Sequence, residues 1–546
     1  MPEKRTCLLS GQTFEITDKD IEFYNKIGIP FPTLCPMERQ RRRFTFRNER
    51  HLYKNKSALS GKKIISCIHP NDPWKVYSQE EWWGDSWDGL DFSRPYDFSK
   101  TFIEQYFNLQ KKVPVMAANS MNNENCPYAN YAASCKNCHL IFGSVYCEDC
   151  LYGNPYYSKS CIDSLLIRDC QFCYECITCE NCYECLFCQD CVNSYNLIYC
   201  YDCQGSKNCI GCAGLRNKEY HIFNKPYSKE EFLKYKNTLS LCDPNIHTKL
   251  KKEFEKIKVL LPRRFGVLIQ AENCTGNYIY SSKNANSCFD VQRVEDSSYC
   301  AQVIDMKDCY DCNYMEEVEL ACEFICNYRN QKIFFSVWTH GCNDIWYSSY
   351  CVSSHNLFGC IGLKHKKYCI LNKQYTKEEY ENLVPRIKEQ MKKDEIFGEF
   401  FPPSISLFCY NETVANEYFP LTKEETLIRG YRWREKNPKD YQKQKIKIEA
   451  DIKNVSDAIT NEILSCSTCE KNFRITPQEL KFYQKFELPI PNMCPDCRHR
   501  DRMNLRSDRT ILNRVCNKCN KKIETTYSEK TSYKIYCEEC YLKTIY

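Results

Sequence analysis

The sequence predicts a mainly β fold with α-helices, built as two central repeats between two related terminal modules. Three observations predict it. Eight cysteines near the C-terminus, Cys466, Cys469, Cys494, Cys497, Cys516, Cys519, Cys537 and Cys540, run at steps of 3, 25, 3, 19, 3, 18 and 3. Subtracting 459 carries them onto Cys7, Ser10, Cys35, Glu38, Ser57, Ser60, Ser78 and Glu81, with matching neighbours such as Phe14/Phe473, Tyr24/Tyr483 and Pro36/Pro495. Glu124-Asn125-Cys126 recurs 148 residues later as Glu272-Asn273-Cys274, and Gly211-Cys212-Ala213-Gly214-Leu215 recurs at the same distance as Gly359-Cys360-Ile361-Gly362-Leu363. Between these landmarks, short runs of Tyr, Phe, Ile, Val and Cys are punctuated by Asn, Asp, Ser and Gly. Short strands at near-regular spacing read as stacked rungs, a β-solenoid-like repeat.

The elements follow in order. Residues 1–83 are the first module and 84–120 a connector, with a short helix near Lys100–Lys112. Residues 121–262 and 263–395 are the two Cys- and Tyr-rich repeats, each closing into helix. Residues 396–465 are a linker with one helix, and 466–546 the second module. Hydroxyl-to-carboxylate capping boxes mark helix starts at Thr17–Asp20, Ser228–Glu231, Thr376–Glu379, Thr422–Glu425 and Thr476–Glu479. Only 17 glycines argue against glycine-rich calcium-binding rolls.

Composition narrows the class. The 546 residues include 42 Cys and 40 Tyr at a net charge of +6. The N-terminus has no apolar core of a secretory signal, and no apolar run approaches the ~18 residues of a membrane span. A cytoplasmic chain keeps its thiols reduced, so the cysteines read as metal ligands or small core residues rather than disulfides.

Two C-x2-C pairs separated by a β- and helix-forming stretch are a strong zinc signal, because paired thiolates on tight knuckles complete a tetrahedron. Cys466, Cys469, Cys494 and Cys497 are assigned to one Zn²⁺, and Cys516, Cys519, Cys537 and Cys540 to another. Four thiolates leave no open position, so both ions are structural. The knuckle followed by a pair at a helix start is treble-clef-like. The residues Cys466, Cys469, Phe473, Thr476, Glu479, Phe482, Tyr483 and Cys494-Pro495-x-Cys497-Arg498 make this module resemble the small zinc-ribbon family. The whole chain is similar to large zinc-ribbon proteins of small-genome bacteria, a likeness that implies no particular activity. The N-terminal copy departs from the pattern: its serines supply no thiolate, and it is expected to hold no tightly bound zinc.

Both modules keep arginines where one has lost its ligands. Arg39, Arg43, Arg47 and Arg50, and likewise Arg498, Arg502, Arg506 and Arg509, lie at i, i+4, i+8 and i+11, one face of a helix. The leading expectation is nucleic-acid contact, RNA or DNA, through phosphate. A competing one is docking onto the chain's own acidic repeats, which carry Asp163, Glu175, Asp190, Asp305, Asp311 and Glu316 among others. A third is a merely solvated face.

Cysteines stepping by three from Cys170 to Cys191 cannot all be zinc knuckles. They read either as a ladder of small core residues or as further thiolate-bound metal sites. Walker A, GxGxxG and HExxH patterns are missing. The function expected is therefore a non-enzymatic, cytoplasmic, zinc-binding scaffold that contacts nucleic acid. The alternatives are a protein–protein scaffold with an acidic solenoid surface and a thiol redox protein. No membrane and no small-molecule substrate is implied.

Overall fold

A computed structural model describes residues 2–545. The fold is mixed α and β, with most of its regular structure in sheet. That sheet lies mainly in two parallel ladders, one from Ser120–Met121 to Lys225–Pro226 and one from Leu268–Glu272 to Lys373–Gln374. In each, a residue pairs in parallel with the one twelve positions on. Gln171 pairs with Tyr183, and Tyr183 with Tyr195; Glu295 pairs with Lys307, and Gln331 with Asn343. Two steps are eleven, Glu148 to Lys159 in the first ladder and Leu268 to Ile279 in the second.

Within each twelve-residue coil the unit is a triplet. An outward residue is followed by one in the left-handed region, as at Phe172 (φ 53°), Glu175 (φ 52°) and Thr178 (φ 50°), and then by an inward residue. Cys173, Cys176 and Cys179 are inward residues at 0–1% exposure. Four triplets make up the twelve-residue repeat, which accounts for a three-residue cysteine period that neither an α-helix nor a plain strand produces. A left-handed conformation costs a non-glycine residue ~1–2 kcal/mol. Here each such N–H is fixed by the preceding coil, as in Phe172 N–H to Lys159 O at 3.1 Å and Glu184 N–H to Gln171 O at 3.0 Å. Asparagines tolerate the corner and stack there: the Asn125 amide donates to Asn137 at 2.9 Å, and Asn273 to Asn284 at 2.7 Å.

The helices start where the sequence places them. All five capping boxes form. The connector helix spans Phe102–Gln110 behind a Thr101 cap. The arginine helices are Pro36–Phe44 and Pro495–Met503, each with proline in its first turn, where a missing N–H is harmless.

The modules dock crosswise. The N-terminal module shares an apolar core with the second ladder, where Phe23 stacks on Tyr310 at 3.9 Å. The C-terminal module shares one with the first ladder, through Leu480, Phe482 and Tyr483 against Tyr174, Leu186 and Ile198. The distal halves attach differently. Val76–Tyr77 pairs with Val115–Met116 ahead of the first ladder, and Ile535–Tyr536 pairs with Arg263–Arg264 ahead of the second. The two offsets, 459 for modules and 148 for ladders, relate one set of contacts to the other, so the molecule has a pseudo-twofold plan.

The second strand of the second ladder, Gly276–Asn286, opens on a position that only glycine fills. Gly276 has φ 134°, and a Cβ there would lie 1.8 Å from the Cys288 carbonyl oxygen of the next coil. Gly276→Ala is expected to cost ~3 kcal/mol or more, against ~1 kcal/mol for Gly11→Ala, whose Cβ meets nothing within 4 Å. Denaturant unfolding of the two variants checks the difference.

Candidate metal centre and the arginine clamps

Both C-terminal tetrads are assembled as metal sites. The four ligand atoms of Cys466, Cys469, Cys494 and Cys497 lie within 4.8 Å of one another, as do those of Cys516, Cys519, Cys537 and Cys540. The Cys469–Cys494 and Cys519–Cys537 sulfurs are each 3.7 Å apart. A tetrahedron with metal–sulfur bonds of ~2.3 Å has edges of ~3.8 Å, so the spacing suits zinc. Burial opposes ionisation of Cys466, yet backbone N–H groups of Cys494, Cys469 and Thr468 bring its thiol down to about 6. Cys516 sits at about 6 for the same reason, burial being outweighed by N–H groups of Cys537, Cys519 and Lys518. A thiolate-ready first ligand in each knuckle favours metal capture near neutral pH.

The N-terminal copy keeps the knuckle turn and changes what fills it. Cys7 N–H bonds to Gln12 O and Gly11 N–H to Cys7 O, matching Cys466 to Lys471 and Glu470 to Cys466. At the first centre Ser10 Oγ lies 3.8 Å from Cys35 Sγ, and buried Glu38 turns to Arg41 and to Arg429, the latter at 3.2 Å. At the second, the Glu81 carboxylate accepts the Ser57 hydroxyl and, at 3.0 Å, the Ser78 N–H. Hydrogen bonds from Ser57 and Ser60 hold that carboxyl down at about 2. Ion pairs and hydrogen bonds thus stand where the other copy presents thiolates.

The arginines are the main departure from expectation. The two helices end at Phe44 and Met503: N–H groups of Thr45 and Phe46 close onto the Arg42 and Arg43 carbonyls three residues back, as those of Leu505 and Arg506 do onto Arg502 and Met503. Arg47, Arg50, Arg506 and Arg509 therefore lie on the turn beyond, not on one helical face. All eight side chains are buried or nearly so, from 0% at Arg43 to 8% at Arg50 and Arg506.

Their partners follow both offsets. Arg39 Nε donates to Asp311 at 2.8 Å, and Arg43 reaches Asp311 at 3.0 Å and Glu323 at 3.1 Å. In the other half Arg498 and Arg502 each lie 3.1 Å from Asp163, and Arg502 lies 3.3 Å from Glu175. Asp163 and Glu175 plus 148 give Asp311 and Glu323; Arg39 and Arg43 plus 459 give Arg498 and Arg502. A tyrosine seals each clamp: Tyr299 donates to Asp20 at 3.0 Å, and Tyr152 donates to Glu479 at 2.8 Å, Asp20 plus 459 being 479. The spacings agree physically. Arginines four apart on a helix are separated by about one 5.4 Å turn, and residues on adjacent coils by ~4.8 Å.

The remaining arginines bridge the ladders. Arg47 lies between Tyr131 of the first and Tyr314 of the second, 3.7 and 4.0 Å from their ring centroids. Arg50 lies 4.7 Å over Phe142. Arg506 and Arg509 both pair with Asp290 and stack on Tyr278 and Tyr418. The expected nucleic-acid contact by Arg39, Arg43, Arg47, Arg50, Arg498, Arg502, Arg506 and Arg509 is therefore not supported: guanidiniums already sunk among carboxylates and aromatic rings present no face to phosphate. Glu323, Asp290, Asp20 and Glu479 are partners that charge counting alone passes over. Three of them carry a signal: Asp163 and Glu175 recur at 148 as Asp311 and Glu323, and the capping acid Asp20 recurs at 459 as Glu479, whereas Asp290 stands where the first repeat has Phe142.

Comparison with known proteins adds little. No family model matches the chain, and no curated protein matches it in sequence. A solved structure from Desulfovibrio desulfuricans G20, provisionally described as an acetyltransferase, aligns over 44% of this chain and 64% of its own at 9% identity and a TM-score of 0.12. A likeness that slight carries no argument. Among the described residues no helix is long and apolar enough to cross a membrane.

Two outcomes follow from the geometry. Metal analysis of the full chain is expected to give about two zinc per chain, falling to about one in Cys494→Ser; zinc persisting in a Cys466→Ser/Cys516→Ser variant would place metal in the N-terminal copy instead. Arg502→Ala, which leaves Glu175 without its ion pair and Asp163 with Arg498 alone, is expected to cost ~3–5 kcal/mol in chemical denaturation, while exposed Arg500→Ala stays within ~0.5 kcal/mol.

Proposed function

We propose that this protein is a zinc-containing, non-enzymatic interaction scaffold. In this reading the two ladders are β-solenoids, and the terminal modules are treble-clef-like zinc ribbons that lock the solenoids together, one with zinc and one with hydrogen bonds. The observation that carries it is the seating of all eight arginines against carboxylates and rings of the same chain, six of them buried and Arg506 and Arg509 with side chains 8% and 6% exposed. The conserved-by-both-copies feature is then internal docking, and what remains for partners is the outward face of the ladders.

That face is rigid and self-neutralised. Coil-to-coil pairs run along it: Lys136–Glu124 at 3.0 Å, Lys159–Glu148 at 2.8 Å, Lys307–Glu295 at 3.3 Å and Arg329–Glu317 at 2.9 Å. A shallow depression over the second ladder is lined by Arg293, Glu295, Asp305, Lys307, Glu317 and Glu319, most of them paired in this way. Alternating charge at a fixed repeat supports recognition of a protein partner with patterned charge over attraction of a polyanion, which needs an excess of one sign.

Titrating full-length, zinc-loaded protein with single-stranded RNA and duplex DNA tests this. Binding no tighter than the non-specific range of ~10⁻⁴–10⁻⁶ M, even at low salt, is expected. Tighter binding that weakens steeply as salt is raised would overturn the scaffold reading in favour of nucleic-acid recognition.

A further inference from the structure

The eight cysteines stepping by three from Cys170 to Cys191 fill the inward positions of two successive coils of the first ladder. None exceeds 2% exposure. The parallel register of Gln171 with Tyr183, Tyr174 with Leu186 and Ile177 with Gln189 seats Cys170, Cys173, Cys176 and Cys179 one coil from Cys182, Cys185, Cys188 and Cys191, about 4.8 Å away.

Packing does not require sulfur here. At the equivalent positions, 148 residues on, the second ladder has no cysteine; Val318, Ala321, Phe324, Asn330, Ile333, Ser336 and Thr339 stand at seven of the eight, at most 6% exposed. The same backbone closes over other side chains. Nor are the thiols needed as donors. Cys173, Cys176 and Cys188 reach the carbonyls of Cys182, Cys185 and Leu197 at 3.7, 3.2 and 3.7 Å. Those carbonyls already accept ladder N–H groups from Gln171, Tyr174 and Leu186 at 2.9, 3.0 and 2.9 Å. Removing a thiol proton leaves no acceptor orphaned.

Geometry selects the ion. Among the described residues, only the two C-terminal tetrads gather three or more ligand atoms within 4.8 Å of one another. The stack therefore offers sulfur pairs along its edges rather than tetrahedra. Zinc takes four ligands, whereas a soft monovalent d10 ion is satisfied by two sulfurs. A dry core resists added charge, so exchange is one for one. R–SH gives up its proton, the sulfur electron pair forms the S–M bond with M⁺, and a neighbouring thiol sulfur completes S–M–S. Net charge is unchanged and no electron is transferred.

We propose that this thiol stack is a second metal site, for a thiophilic monovalent ion of the Cu(I) or Ag(I) class, filled as the ladder closes around it. The test is anaerobic refolding of the full chain with zinc and Cu(I), read by native mass spectrometry and by Cu(I)–thiolate luminescence. About four Cu(I) per chain, one per cysteine pair, are expected alongside two zinc. In Cys173→Ala/Cys176→Val/Cys185→Val/Cys188→Ala, copper should fall at least twofold with zinc retained. Copper bound only at the expense of zinc, equal copper in the variant, or no copper at all would each overturn the proposal. Should the variant fail to fold, the parent spectrum decides: copper together with both zincs supports the site, and any other composition rejects it.

Discussion

Two arginines one helical turn apart, seated on two carboxylates one coil apart, are the constraint on which the rest of this structure depends. The contact occurs twice, as Arg39 and Arg43 on Asp311 and Glu323, and as Arg498 and Arg502 on Asp163 and Glu175. Taking charges out of water costs about what their attraction returns, so such a cluster adds little net stability over a well-packed apolar contact. What it adds is placement. A module shifted by one coil, or set on the wrong ladder, leaves four ionised groups buried without partners. The clamps therefore fix which module meets which ladder, and Arg47, Arg50, Arg506 and Arg509 carry that register across to the neighbouring ladder.

The two cysteine tetrads are secondary to this arrangement. The knuckle turn that presents Cys466 also presents Cys7, with the same two backbone hydrogen bonds. Where thiolates converge in one copy, Glu38 meets Arg41 and Arg429 in the other, and Glu81 gathers serine hydroxyls. A tetrathiolate site and a hydrogen-bonded carboxylate do the same geometric job of tying a turn to a helix start. Metal supplies it with fewer requirements on the surroundings, whereas the metal-free version needs Arg429, some 391 positions along the chain, to satisfy Glu38.

Much of this was legible in the residues. The C-x2-C pairs marked both tetrads that the structure assembles. Hydroxyl and carboxylate at i and i+3 gave the helix starts. The reading failed where a period had two meanings. Arginines at i, i+4, i+8 and i+11 fit one helical face, but the helices close after Phe44 and Met503, so the last two of each set serve another ladder. A basic stripe was read outward because nothing local says that Asp163 and Asp311 point toward it. The clue was non-local: acids twelve apart recur at the same offset as the repeats, matched to arginines four apart that recur with the modules. The triplet coil was hidden for a related reason, since neither helical nor strand periodicity yields three, and only a left-handed residue in every triplet does.

The central claim is the crossed pairing, in which each terminal module is clamped to the distant repeat. A double-mutant cycle tests it most directly, with denaturation measured for Arg43→Ala, Asp311→Ala, Asp163→Ala and the combinations of the first with each of the others. Crossed docking predicts a coupling of ~1–3 kcal/mol between Arg43 and Asp311, and additivity between Arg43 and Asp163. Coupling of Arg43 to Asp163, or none to Asp311, would contradict it.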